Sequence, residues 1–301
     1  MQKARNSFYG ESDKREYVME CEKRFEHSLD LAIEKVIGQK NKIITLSGPT
    51  CSGKTTTAKK LISEFEERGK KVHVISIDDF YYDRAFLEKR AKEENKPLDL
   101  DSPTTIDLPE LERVIEEIFI GDVVEVPVFD FQVSRRTKTR KFDPDDRDVF
   151  IFEGIQAVYP EVTRLFGAHP YSSLFVYLCD DIEIDSFLFD RNDVRFLRRL
   201  VRDYNFRGAS PEFTFELWRS VRENEEKNII PFYDDCTALL NSTMPYELGM
   251  LKPYAVPLLS AIEKGSLYYD YAQKMINRFE HIEEISKDYI PEISLYHEFL
   301  G

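Results

Sequence analysis

Apolar positions near the start of the chain recur at Val18, Cys21, Phe25, Leu29, Ala32/Ile33 and Val36/Ile37, a spacing that predicts one helix closed by Gly38. Beyond residue 40 the period changes. "KIITLSG" is a continuous apolar run of strand length, and Thr55 to Arg68 returns to helical spacing with Ala58, Leu61, Ile62 and Phe65 inward and Gly69 at its end. "KVHVISIDD" predicts a second strand, and "DLPELERVIEEIFIG" a helix capped by Asp107 and stopped by Gly121. "VVEVPVFDF", "DVFIFEGI" and "SLFVYLCD" predict further strands, with "CTALLNS" a short one, and from Lys252 onward the chain is mostly helical. Strands alternating with helices imply parallel crossover units, hence an α/β fold with a doubly wound parallel sheet. There is no internal repeat and no low-complexity linker. The expected division is a helical extension at 1–40, a core unit at 41–260 and a second helical extension at 261–301.

Composition narrows the function classes. The chain has 301 residues, 42% hydrophobic and 13% aromatic, enough to bury a sizeable core. Its net charge of −14 makes it a poor general binder of nucleic acid or anionic membrane, so neither is expected as a partner. Cys21, Cys51, Cys179 and Cys236 form no C-x-x-C pair, which argues against a zinc site or a disulfide framework. No apolar run reaches membrane-spanning length, and "MQKARNSFYGESDKREY" is too polar for a signal peptide. A soluble cytoplasmic protein is the expectation, with the two extensions expected either to cover the core or to form the subunit interface of a homo-oligomer.

"GPTCSGKT", Gly48 to Thr55, fits G-x-x-x-x-G-K-[ST] directly after a strand and directly before a helix, the context that separates this motif from a chance glycine turn. Gly48 and Gly53 allow a tight fold whose N–H groups point at phosphates, and the helix N-terminus adds its positive dipole end. Lys54 is placed to reach the β- and γ-phosphates and Thr55 to offer a hydroxyl to Mg²⁺. Gly48, Pro49, Thr50, Cys51, Ser52, Gly53, Lys54, Thr55 and Thr56 form the expected nucleotide-binding segment. Cys51 reads as a buried bystander, because the loop needs backbone N–H groups there. "NKPLD" is one residue too long for the guanine-reading Asn-Lys-x-Asp, and no D-x-x-G follows a strand. "DVFIFEG" instead ends in Glu153, a carboxylate where a metal-linked acid is expected. ATP, with Mg²⁺, is therefore favoured over a GTP switch.

The second strand runs into Asp78 and Asp79, which lie in the crevice beside the phosphate loop if the sheet is doubly wound. Position alone fits a general base and a turn-capping Asp equally. In "NDVRFLRRLVRDYNFRG", Val194, Leu197, Leu200/Val201 and Tyr204 form an apolar face, and Arg195, Arg198/Arg199 and Arg202 recur on another, with Arg207 before Gly208. Asp203 is the only acid near them after Asp193. Arginines with so few partners at helical spacing read as a clamp on a triphosphate rather than a solvated face. "SRRTKTRK" is a second basic run without interleaved aromatics for base stacking, expected as a loop near the phosphates with Arg136 inward.

These segments resemble the uridine/cytidine kinase and phosphoribulokinase family of P-loop kinases over about residues 42–260. Ser76, Asp78, Phe80 and Tyr81 match its Ser-x-Asp-x-Phe-Tyr; Asp101, Pro103 and Asp107 match Asp-x-Pro-x-x-x-Asp. "VPVFDFQVSRRTKTR" is similar to its Pro-x-Tyr-Asp-Phe segment, "FIFEGIQAV" to its Glu-Gly-Ile turn, and "RRLVRDYNFRG" to its arginine lid. The stretch from Leu217 to Leu259 looks like a bacterial uridine kinase-like subgroup. The resemblance implies a Mg²⁺- and ATP-dependent kinase acting on a small, nucleoside-like acceptor. It implies Asp78 as base, Lys54, Arg199 and Arg202 on the transferred group, Arg207 on the nucleotide, and Thr55 with Glu153 at the metal. Asp101 would hold the sugar, with Tyr81, Phe129, Arg136 and Trp218 around the acceptor. Phe129, Ser134 and Ala209 replace the family's Tyr, His and Arg at positions that address the pyrimidine, which implies altered base selectivity. A phosphoribulokinase-like sugar-phosphate kinase, with Arg136 binding the acceptor's phosphate, and a non-catalytic ATP-binding regulator are the alternatives.

Overall fold

The computed structural model describes residues 1–95, 102–121, 123–145 and 147–301. Asp101, the expected sugar ligand, lies outside the described residues. A 28-residue helix, α1 (Glu11–Gly38), follows a two-residue strand β1 (Gln2–Lys3). The first βα unit is β2 (Ile43–Ser47) and α2 (Lys54–Glu67), followed by β3 (Val72–Ser76), a 3₁₀ turn at Ile77–Phe80 and α3 (Arg84–Glu93). Next come α4 (Leu108–Ile120), β4 (Val124–Asp130), β5 (Arg135–Phe142), β6 (Val149–Glu153), α5 (Pro160–Phe166) and β7 (Tyr171–Tyr177). The remainder comprises β8 (Ile182–Ile184), β9 (Phe187–Phe189), α6 (Arg191–Arg207), α7 (Pro211–Asn228), β10 (Ala238–Asn241), α8 (Glu247–Ser260), α9 (Tyr269–Phe279) and α10 (His297–Leu300).

Five strands form one parallel sheet in the order β10-β7-β2-β6-β3. Alternation along each strand sorts the core into two layers. Ile44, Leu46, Ile151, Leu174 and Val176 pack with α1, α2, α6 and α8 residues on one face. Ile43, Phe150, Phe152, Phe175 and Tyr177 pack with Leu111, Val114 and Ile118 of α4 and Val162 and Phe166 of α5 on the other. Both faces are covered by helices, so the sheet is doubly wound, as the alternation of elements predicts. Among the described residues no helix is long and apolar enough to cross a membrane.

Two helix ends follow their sequence signals closely. Asp107 accepts a hydrogen bond from the Glu110 N–H at 3.3 Å at the start of α4, and Gly121 is left-handed at its end. Asp190 accepts from the N–H groups of Asn192 and Asp193 at 2.8 and 3.0 Å, and Gly208 closes α6 at φ 62°.

The strand at 124–130 departs from the expected alternation. It pairs antiparallel with β5, outside the parallel sheet, with a register shift between Val128 and Phe129. The basic run, expected as a loop, is thus the second strand of a hairpin. Thr137 and Thr139 suit a strand, and the charged residues around them stand on a largely exposed ribbon.

The two ends of the chain share the core layer of α6. Val18, Ile33 and Val36 of α1 and Leu295, Tyr296 and Phe299 near the C-terminus belong to the same apolar cluster as Leu197 and Leu200. Glu22 of α1 is buried there, accepting from Ser294 Oγ at 2.6 Å and from the Tyr246 hydroxyl. Burial raises its pKa, against those two hydrogen bonds. A folded-state pKa above the unfolded one gives a contribution fully present below the unfolded pKa and lost as pH rises through the folded value. Glu22→Gln mimics the neutral form, so it should melt progressively higher than wild type as pH rises over the range above about 4. A difference in melting temperature that stays constant across that range would contradict this.

Candidate active site

β2 lies between β6 and β7, while the next strand in the chain, β3, sits beyond β6. The chain therefore leaves β2 at a topological switch point, where open α/β sheets carry a crevice beyond the carboxyl ends of their strands. The register sets Leu46 and Ser76 on either side of Glu153, so the ends of β2, β3 and β6 meet.

The loop after β2 is built on special backbone positions. A Cβ on Gly48 would lie 2.2 Å from the Val176 carbonyl oxygen, so only glycine fits at its φ of 153°. Cys51 takes a left-handed φ of 59° and Gly53 one of 97°. No side chain caps α2, so its first N–H groups keep their donors for a ligand. Lys54 Nζ donates back to the carbonyls of Gly48 and Pro49 at 2.8 and 3.0 Å, arching over the loop. Burial lowers the Lys54 pKa, and the charges of Glu298 and then Glu153 oppose that shift.

The carbonyl side of the loop is held from α6. Arg195 donates to the Thr50 carbonyl at 3.3 and 3.2 Å, Arg198 to the Cys51 carbonyl at 3.3 Å, and Arg202 to Thr50 Oγ1 at 3.3 Å. Arg195 and Arg198 are fully buried and ion-paired, with Glu225 and Glu247. Arg198 also donates to the Ser242 carbonyl at 2.8 Å and the Tyr296 hydroxyl at 3.0 Å. The expectation that the arginine face lacks partners is corrected at these two positions. Their carboxylates come from α7 and α8, beyond the reach of helical spacing. Arg199, Arg202 and Arg207 share the single carboxylate of Asp203, at 3.1, 2.8 and 3.4 Å, and all three line a cavity of about 530 Å³.

That cavity also contains Thr50, Cys51, Lys54, Thr55, Asp78, Tyr81 and Glu153. The two adjacent carboxylates after β3 have separate surroundings. Asp78 lines the cavity and accepts from Gln156 Nε2 at 2.7 Å, and the same nitrogen meets the Tyr81 hydroxyl. Asp79 faces the hairpin, accepting from the Phe129 N–H at 3.0 Å and Arg140 Nη2 at 3.1 Å. Burial raises the Asp79 pKa, with those two donors pulling the other way.

Three expected acceptor contacts lie elsewhere. Arg136 donates to Asp107 Oδ2 at 2.9 Å and to the Phe80 carbonyl at 2.7 Å, tying the hairpin to the start of α4, and does not line the cavity. Trp218 packs on Phe196 with the Arg195 guanidinium 5.4 Å from its ring, and does not line the cavity. Phe129 stands edge-on to Tyr81 and Phe131 at 5.8 and 5.1 Å, and Phe131 is the ring that reaches the cavity. Sequence reading missed Gln156 and Glu298. Gln156 sits in the quoted "FEGIQ" turn, whereas Glu298 carries no local signal.

Thr55, Glu153 and the neighbouring carboxylates are hard oxygen donors, and no group of three or more His, Cys, Asp or Glu converges among the described residues. That sparse set fits Mg²⁺, which takes one or two protein ligands and completes its shell with phosphates and water.

The two classes of arginine should separate on mutation. Arg198→Ala leaves Glu247 buried and unpaired and should cost about 3–5 kcal/mol of stability in urea unfolding. Arg199→Ala leaves Asp203 with two other arginines, so it should cost about 1 kcal/mol yet weaken phosphate binding. Equal losses of stability would contradict the division.

Comparison with known proteins agrees with this architecture. The model of the phosphoribulokinase / uridine kinase family matches residues 43–245, more than half of the chain. A uridine kinase of Streptococcus thermophilus is 29% identical over 180 residues, 60% of this chain and 75% of that one. A uridine kinase of Lactobacillus helveticus is 31% identical over 175 residues, 57% of this chain and 72% of that one. Among solved structures, D-glycerate 3-kinase from Cryptococcus neoformans aligns with a TM-score of 0.50 at 13% identity, covering 73% of this chain and 97% of that one, a likeness of fold alone. With the loop, the strand order and this match in agreement, the chain belongs to the phosphoribulokinase / uridine kinase family of P-loop kinases.

Proposed function

We propose that the protein transfers the γ-phosphoryl group of ATP, as its Mg²⁺ complex, to a hydroxyl of a nucleoside-like acceptor. The observation that carries this reading is the sharing of one cavity by Asp78, Lys54, Arg199 and Arg202. A hydroxyl acceptor needs a base, and a loose phosphoryl transition state needs fixed positive charge around its oxygens. The N–H groups at the start of α2 and Lys54 would hold the donor's phosphates, with Arg199, Arg202 and Arg207 closing over the transferred group. Asp78 takes the proton. Gln156 is a positioning residue, because its bond to Oδ1 orients the carboxylate and Oδ2 has no protein partner among the described residues. Thr55 and Glu153 would hold Mg²⁺, which supplies charge neutralisation on the β- and γ-oxygens when bound. In this reading residues 41–260 are the kinase unit, and 1–40 and 261–301 are additions to it.

Tyr81 and Phe131 give the acceptor end an aromatic lining suited to a nucleoside. The relatives named uridine kinase support that class, while Phe129, Ser134 and Ala209 argue for altered base selectivity. The sugar-phosphate alternative needs a free cation for a second phosphate. Arg136, the residue expected to supply it, is committed to Asp107 and Phe80.

ADP release across a panel of nucleosides and sugar phosphates tests the proposal. At least one nucleoside should stimulate turnover, and Asp78→Asn should lower kcat by about 10²- to 10⁴-fold while ATP still binds. Stimulation by sugar phosphates alone would favour the alternative. Tight ATP binding with no stimulated release would favour a regulatory protein.

A further inference from the structure

Residues beyond the family-matched segment reach the phosphate loop. The Leu295 side chain comes within 3.6 Å of where a Cβ on Gly53 would stand, and the Tyr296 hydroxyl accepts from Arg198. Asn205 Nδ2 donates to the Phe299 carbonyl at 3.2 Å, and Leu295, Tyr296 and Phe299 are completely buried. Such anchoring makes the C-terminal turn a fixed wall rather than a removable flap.

That wall carries Glu298. A second cavity of about 540 Å³, between α1, α2 and residues 291–298, shares Thr55 and Glu298 with the phosphate cavity, so Glu298 stands where the two meet. Its Oε2 is buried without a hydrogen-bond partner, and no ion pair holds the carboxylate among the described residues. Of the charges acting on Lys54, that of Glu298 is the largest, ahead of Glu153. A half-buried carboxylate with one oxygen buried and unpartnered carries a desolvation cost, and beside a bare polyphosphate it would add repulsion. A divalent cation carried on the phosphates reverses the sign of that interaction.

We propose that Glu298 is a further binding residue of the phosphate site, a fixed carboxylate that makes the loop select the metal-complexed polyphosphate over the metal-free one. This rests on the nucleotide reading given above. The test is calorimetric binding of ATP with excess Mg²⁺ and of ATP with excess EDTA, to wild type and to Glu298→Gln. Wild type should prefer the Mg²⁺ complex by about tenfold or more, and the variant should lose most of that preference, chiefly because metal-free ATP binds about fivefold tighter. Glu298→Asp should restore the preference, and Glu298→Ala reads the same ratio if the Gln variant does not fold. An unchanged ratio in the variants would overturn the role of Glu298 and leave the kinase reading standing. Failure of wild type to bind ATP under either condition would overturn both.

Discussion

The buried guanidinium of Arg198 is the contact on which the rest of the site depends. One planar group reaches the Cys51 carbonyl of the phosphate loop, the Ser242 carbonyl after β10, the Glu247 carboxylate of α8 and the Tyr296 hydroxyl of the C-terminal segment. A five-donor fork suits this role and an ammonium does not. Burying its charge is tolerable only because Glu247 is also buried and paired, and Glu247 in turn accepts from the Met244 N–H at 3.0 Å. The loop's left-handed backbone at Cys51 is thereby held by the same contact that gathers four separate parts of the chain.

From that anchor follows a division of labour along one helix. Arg195 and Arg198 turn toward carboxylates and loop carbonyls, and fix the loop's shape. Arg199, Arg202 and Arg207, further along the same helix, share Asp203 among three positive charges, and so leave excess positive charge on the α6 side of the cavity. An anion entering there completes the charge balance instead of competing with it. Lys54 is balanced in a similar way: burial depresses its pKa, and the charges of Glu298 and then Glu153 are the largest that oppose the shift.

Sequence made some of this legible and concealed the rest for identifiable reasons. The phosphate loop, the parallel strands and the caps at Asp107 and Gly121 are local, and their chemistry is written within a few residues. Glu225 and Glu247 lie 30 and 49 residues from their arginines, so at helical spacing those arginines have no visible partner. The hairpin of β4 and β5 reads as strand plus basic loop because an exposed ribbon lacks the apolar alternation of a core strand. Asp78 and Asp79 have identical chemistry, and only the fold directs one to the cavity and the other to the hairpin. Glu298 enters the site through tertiary packing alone.

A crystal structure with Mg²⁺ and a non-hydrolysable ATP analogue tests the central claim most directly, that the arginines of α6 divide into loop-holding and phosphate-holding sets. The account predicts the terminal phosphate in contact with Lys54, Arg199 and Arg202, near Asp78, while Arg195 and Arg198 keep Glu225 and Glu247. Phosphates held by Arg195 or Arg198 after they leave those carboxylates, or bound outside this cavity, would contradict it.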